Sequence, residues 1–183
     1  MNDEAARALD LFTGSGPVGS GVELDDQLRE MVVRGLIHDD GALVFAGTDF
    51  GVARRRSGAG AAMARMGWDL TQYECQATSF HLDDHAPVTV TDVDGGPWID
   101  HDDRVIMLRL GLQLAGEVGR LVRGLPEPAS VRCIISAGST NGTFRFHQLR
   151  GDRSWVADNL DDYREEMMIT VDIVPAVSRS ASG

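Results

Sequence analysis

SVRCIISAGSTNGTFRFHQL, residues 130–149, is the stretch on which the fold turns. It holds two strand-like runs, 130–137 and 143–149, on either side of Asn141-Gly142. β-branched and aromatic side chains suit a pleated surface, and Asn-Gly is a strong short-range hairpin signal. A tight turn joins only antiparallel neighbours, whereas parallel strands need a crossover connection, usually a helix. The expected class is therefore α+β, with a mixed or mainly antiparallel sheet and helices packed on one face. A doubly wound parallel sheet is disfavoured on the same ground.

Downstream, residues 159–165 read as a helical turn and 166–174 as a third strand, and the small polar tail 176–183 is expected to fray. Upstream, residues 104–122 carry the clearest helical period. Val105, Leu108, Leu112, Ala115, Val118 and Val122 mark one face, and Gly124 and Pro126 end the run. Residues 68–82 read as a strand with Tyr73, Cys75, Ala77 and Ser79 on one side, 88–91 alternates as a strand, and 94–97 reads as a loop. A Gly/Ala-rich helix is expected over 57–66, after Arg54-Arg55-Arg56. Another is expected from about Glu23, with Leu24, Leu28, Met31, Val32 and Leu36 in helical spacing. Asp39-Asp40-Gly41 turns into a buried strand over 42–46, residues 14–21 are Gly/Ser/Pro punctuation, and 3–12 fits a short helix or strand. With no repeat and no linker, the 183 residues read as a single domain, residues 1–22 forming a flexible N-terminal segment.

Hydrophobic residues at 43% and charged residues at 25% are ordinary globular values. A net charge of −11 argues against nucleic-acid phosphate and against an anionic membrane as partners. All 17 basic residues are Arg, which excludes a P-loop lysine, a kinase strand lysine and any Schiff-base lysine. The opening MNDEAARALDLF lacks a basic region followed by an apolar run, and no stretch approaches the roughly 20 apolar residues of a membrane span. Cys75 and Cys133 read as buried free thiols in a reducing cytoplasm, with a single disulfide as the alternative.

Residues 9–19, LDLFTGSGPVG, resemble the glycine-rich first motif of class I S-adenosylmethionine-dependent methyltransferases. In that family a strand ends in a glycine loop that wraps the cofactor. The resemblance assigns Asp10, Gly14 and Gly16 to the cofactor and makes Asp49 the candidate acid at the end of the next strand. A second run, Ser139-Thr140-Asn141-Gly142-Thr143, resembles the loop of forkhead-associated domains, which recognise phosphothreonine. A turn built on Asn-Gly accounts for the same residues without a ligand. His81, His85 and His101, interleaved with carboxylates, offer imidazole ligands of the kind zinc or non-haem iron accepts. No Ser sits in a G-x-S-x-G elbow, and His147, between Phe146 and Gln148, reads as a packed sheet residue.

The charge itself is unevenly placed. From Met66 to Asp103 there are nine acids (Asp69, Glu74, Asp83, Asp84, Asp92, Asp94, Asp100, Asp102, Asp103) and no Arg. Clustered like charges favour a counter-charged partner. Carboxylates steer association, and aromatics such as Trp98 supply buried anchors. The leading expectation is an acidic cytoplasmic protein that uses residues 69–103 to neutralise a basic protein, as an inhibitor or immunity protein does a cationic toxin or nuclease. Asp83, Asp84, Asp92, Asp94, Trp98, Asp100, Asp102 and Asp103 would form the contact surface. No cofactor is expected on this reading, and self-association through another face is its bland counterpart. The rival class is a small enzyme, either the methyltransferase or a metal-dependent one.

Overall fold

The computed structural model describes residues 1–9, 22–47 and 58–175. In chain order its elements are α1 (Asp3–Ala8), α2 (Asp26–Arg34), β1 (Leu36–Asp39), β2 (Ala42–Phe45), α3 (Gly58–Met66), α4 (Leu70–Ala77), β3 (Phe80–His81), β4 (Thr91–Val93), β5 (Gly96–Trp98), α5 (His101–Arg123), β6 (Val131–Gly138), β7 (Gly142–Gln148), a 3-10 turn (Leu160–Asp162) and β8 (Glu166–Ile173). The fold is α+β, and every strand pair is antiparallel.

The main sheet runs β3-β7-β6-β8. Alternation along β6 sends Val131, Cys133, Ile135 and Ala137 to one face, where they meet Phe144, Phe146, Met167 and Ile169. Ala5 of α1, Leu28 and Met31 of α2 and the apolar stripe of α5 close over that face. Ile134 and Met168 point to the opposite face, under Leu160, Trp155, Val156 and Tyr163. Helix α5 lies so close to β6 that a methyl group at Gly111 would come 2.5 Å from Ile135 Cγ2.

The β6–β7 hairpin exists as expected, but Asn141-Gly142 does not form its tip. Ala137 pairs with Gly142 and Gly138 N–H donates to Asn141 O, which leaves Ser139-Thr140 at the tip. Gly142 is a glycine for another reason: a Cβ there would stand 2.7 Å from Met107 Sδ. Two-residue Asp-Gly turns sit elsewhere. Asp40-Gly41 joins β1 to β2 with φ 48° and 84°, and Asp94-Gly95 joins β4 to β5 with φ 53° and 83°. Positive φ at both central residues is what a hairpin turn of matching twist needs. Residues 94–97 thus make a turn and most of a strand instead of a loop, strand pairing begins at Thr91 rather than at 88, and Leu36 starts β1 instead of ending α2.

The largest departure from expectation is α4. Residues 68–82, read as a strand, contain a helix over Leu70–Ala77. Asp69 caps it, accepting from Gln72 N while the Gln72 side chain accepts from Asp69 N, a reciprocal capping box. The helix is buried on several sides: Tyr73 and Ala77 join one cluster and Cys75 another. A helix buried all round loses the 3.6-residue contrast, so its apolar residues passed for a period of two. Cys75 and Cys133 are free and buried, and burial pushes both thiols well above the ordinary range.

No described helix is long and apolar enough to cross a membrane.

Candidate interaction surface

Carboxylates in the acidic block divide into two groups with different duties. Asp69 caps α4 and also accepts from Arg153 at 2.7 Å. Glu74 is fully buried and is bridged by Arg150. Asp69 is committed to Arg153 and the start of α4, and Glu74 is buried, so the free carboxylates of 69–103 lie in its C-terminal part.

There the chain folds around one end of the main sheet. Asp83 Oδ1 accepts from Gly142 N at 2.9 Å, and Ile99 N donates to Ser139 O at 2.7 Å. The β6–β7 turn is thereby held at both ends, by the segment before the β4–β5 hairpin and the segment after it. Asp92 Oδ1 accepts from Gly95 N and fixes the turn of that hairpin. Asp100 is the N-cap of α5, accepting from Asp103 N. Asp103 Oδ2 accepts from Thr89 N, and Asp102 and Asp103 lie in the first turn, where the helix dipole favours negative charge. Helix α5 therefore begins three residues before the Arg104 start expected from its apolar stripe. The acids that looked like a charge run are its cap and first turn.

Asp84, Asp94 and Asp102 are exposed. The same stretch of chain exposes apolar side chains that a folded chain ordinarily covers: Val90, Val93 and Trp98 are 50%, 48% and 47% exposed. Register places Thr91 opposite Trp98 and Val93 opposite Gly96, so Val93 and Trp98 share one face of the hairpin, with Asp92 and Pro97 on the other. The hairpin is a separate two-stranded sheet, paired with no other described strand. Arg104, the first basic residue after the block, is committed to Glu4 at 2.9 Å and to Ala137 O. The hairpin and the start of α5 thus combine an exposed aromatic and two valines with exposed carboxylates.

The other candidate residues are arranged differently. Asp10, Gly14, Gly16 and Asp49 lie outside the described residues. The strand that the methyltransferase resemblance requires before its glycine loop is the helix α1. The 139–142 turn is occupied by its bonds to Ile99 and Asp83, and the sheet sits in an α+β rather than an all-β frame. His81 is 3.8 Å from Asp83, while His85 Nδ1 is 2.9 Å from Asp25 Oδ2, and His101 is exposed at the start of α5. Among the described residues no three His, Cys, Asp or Glu side chains converge to hold a metal.

The Asp25–His85 pair was not legible in the sequence, since the two residues lie 60 positions apart. Asp25 caps α2 through Leu28 N. Burial pushes its carboxyl up, but the Leu28 amide and His85 outweigh that and hold it below the usual range. The pair lines an open cleft of about 570 Å³ with Arg29, Asp84 and Arg109.

His147 is the fully buried histidine among the described residues. Its Nδ1 faces Gln148 O at 2.8 Å, a carbonyl that can only accept, so Nδ1 carries the proton. Nε2 is then a buried lone pair without a hydrogen-bond partner among the described residues. Desolvation lowers the imidazole pKa, because a charged ring would be stranded there. The folded state therefore binds fewer protons than the unfolded one below the ordinary histidine value near 6.5. Stability is expected to be full above that value and to fall with acidification, by about 1.4 kcal/mol for each unit of depression. The Arg132 hydrogen bonds to Asp172 add a second loss at lower pH, since they depress that carboxyl. Urea midpoints measured from pH 7.5 downward check the first effect: His147→Gln should flatten the decline just below neutrality and leave the later acid limb in place. An unchanged slope in that variant would mean His147 is not its source.

The family described as "Uncharacterized protein PM0498 family" matches residues 17–180, and the chain belongs to it. No curated protein and no solved structure matches the chain.

Proposed function

We propose that this chain binds a basic protein and neutralises it, as an inhibitor or immunity protein does, through the β4–β5 hairpin and the first turn of α5. The observation behind the reading is the exposure of Trp98, Val93 and Val90 in the acidic stretch from Met66 to Asp103, which holds no Arg or Lys. Trp98 would fill a pocket on the partner, where a desolvated aromatic contributes most of the binding energy. Asp84, Asp94 and Asp102 would steer association and set its salt dependence. Asp83, Asp92, Asp100 and Asp103 would act mainly by holding the surface in shape. A reducing cytoplasm is the compartment this reading assigns, in keeping with two buried free thiols.

The test is capture from the source cell's lysate on tagged wild-type protein, with identification of what is bound. A basic protein held at low salt and loosened at high salt is expected. Trp98→Ala should weaken that complex by about 2 kcal/mol or more, roughly thirtyfold. Asp84→Arg combined with Asp102→Asn should slow association and flatten its salt dependence, with little change in dissociation. A partner held equally well by all three proteins would place the interface elsewhere. A dimer of the wild type that Trp98→Ala dissolves would replace the heterologous partner with a second copy of the chain.

A further inference from the structure

The second face of the main sheet carries a small cavity of mixed polar and apolar lining that the hairpin surface does not use. Its volume is about 130 Å³, and Ser136, Thr143, Arg145, Trp155, Tyr163 and Glu166 are among its walls. For comparison, an engineered apolar cavity of about 150 Å³ holds a benzene ring, so a ligand of roughly six heavy atoms fits. Inward-facing positions of a covered sheet are ordinarily apolar, as Ile134 and Met168 are here, but Ser136, Thr143 and Arg145 stand beside them with hydroxyls and a guanidinium.

The donors are organised. Ser136, only 6% exposed, has its Oγ 2.9 Å from Thr143 Oγ1. Arg145 Nη2 donates to that same Thr143 oxygen at 3.2 Å, and the guanidinium carbon lies 5.7 Å from the centre of the Trp155 ring. Tyr163 Oη accepts from Ala157 N, which leaves its own proton to give. Arg145 is half-buried and makes no ion pair with any described residue. A half-buried cation held by a neutral hydroxyl and a ring, with no counter-charge, favours a carboxylate. Glu166 borders the same cavity without reaching Arg145, so a plain anion would meet repulsion there. One small molecule that carries both charges satisfies both walls.

We propose that this cavity binds a small zwitterion of the α-amino-acid class. Its carboxylate lies on Arg145 and the Thr143–Ser136 hydroxyls, its ammonium group faces Glu166, and its short side chain lies against Trp155.

Calorimetric titration of the full chain with glycine, L-alanine and L-serine tests this, with acetate, methylammonium and inorganic phosphate as single-charge controls. At least one amino acid should bind, each control should bind at least about tenfold more weakly, and Trp155 fluorescence should change on binding. Arg145→Met and Glu166→Gln should each weaken binding by about tenfold or more. Thr143→Val, a near-isosteric change, provides the same readout if Arg145→Met does not fold. No binding of any amino acid at millimolar concentration would overturn the proposal. Binding that Arg145→Met and Thr143→Val leave intact would overturn it as well. So would acetate or phosphate binding as tightly as the amino acids, with Glu166→Gln without effect. None of these outcomes depends on the basic partner, so the two readings stand or fall separately.

Discussion

Glu74→Ala is expected to cost about 3–5 kcal/mol of folding stability, the range for breaking a buried ion pair from one side. Glu74 is fully buried on α4, and its two oxygens hold together parts that share no strand pairing. Oε1 accepts from Leu43 N of β2 at 2.7 Å, and Oε2 accepts from Gln148 N of β7 at 2.8 Å. Arg150 closes the set with a two-pronged contact, Nη1 to Oε2 and Nη2 to Oε1, each 2.7 Å. One turn on, Thr78 Oγ1 accepts from Phe146 N, so α4 covers an edge of β7 that short β3 leaves open. Alanine at position 74 would leave the Leu43 and Gln148 amide donors without their acceptor and take the counter-charge from Arg150, which would keep only its bonds to Gly41 O and the Gln148 side chain. Urea unfolding of the purified protein measures the loss. Replacing Glu74 and Arg150 together by leucine should cost less than Glu74→Ala alone, because no uncompensated charge remains. A loss below about 1 kcal/mol for Glu74→Ala would show that water reaches the site and that the pair is not a tie.

The second large effect concerns two glycines five residues apart on α5, which should respond to alanine in opposite directions. At Gly111 the added methyl would stand 2.5 Å from Ile135 Cγ2 and 3.1 Å from its Cγ1. Helix and sheet must then separate, and overpacking of this kind costs about 1–3 kcal/mol. That exceeds the roughly 1 kcal/mol alanine gains over glycine inside a helix. At Gly116 nothing lies within 4 Å of the new methyl, so Gly116→Ala should keep the whole gain and raise the midpoint. Thermal unfolding of the two variants side by side is the check. A stabilised Gly111→Ala would mean that α5 is not seated on Ile135 as described, and Ile135→Ala should relieve the Gly111→Ala penalty if it is.

Both effects bear on how much could be read from the chain. The α5 stripe from Val105 to Val122 announced a buried helix, and the glycines inside it looked alike. Only contact with β6 distinguishes Gly111, pressed on Ile135, from Gly116, open to solvent. In the sequence Glu74 is one of the nine acids of the block, yet its partners Leu43, Gln148 and Arg150 lie 31, 74 and 76 positions away. The α4 helix was misread because burial on several sides erases amphipathic contrast, although the Asp69-x-x-Gln72 capping box was present in the text. The Asp40-Gly41 and Asp94-Gly95 turns were likewise legible as two-residue hairpins, each flanked by strand residues.

In the acidic block the same division holds. That the charge is concentrated between Met66 and Asp103 follows from the sequence. Which acids remain exposed does not, because Asp83 is taken by Gly142, Asp103 by Thr89, Asp69 by Arg153 and Glu74 by Arg150. By itself the sequence determined the α+β class, the antiparallel β6–β7 hairpin, the long helix before it and the place of the negative charge. These follow from periodicity and local turn chemistry, which act over a few residues. The tertiary structure alone decided which carboxylates are structural, that Trp98 stands exposed, and that Arg145 and Glu166 face one cavity. Those outcomes depend on pairings between residues far apart in the chain, and strand register and helix docking fix them only once the whole domain has closed.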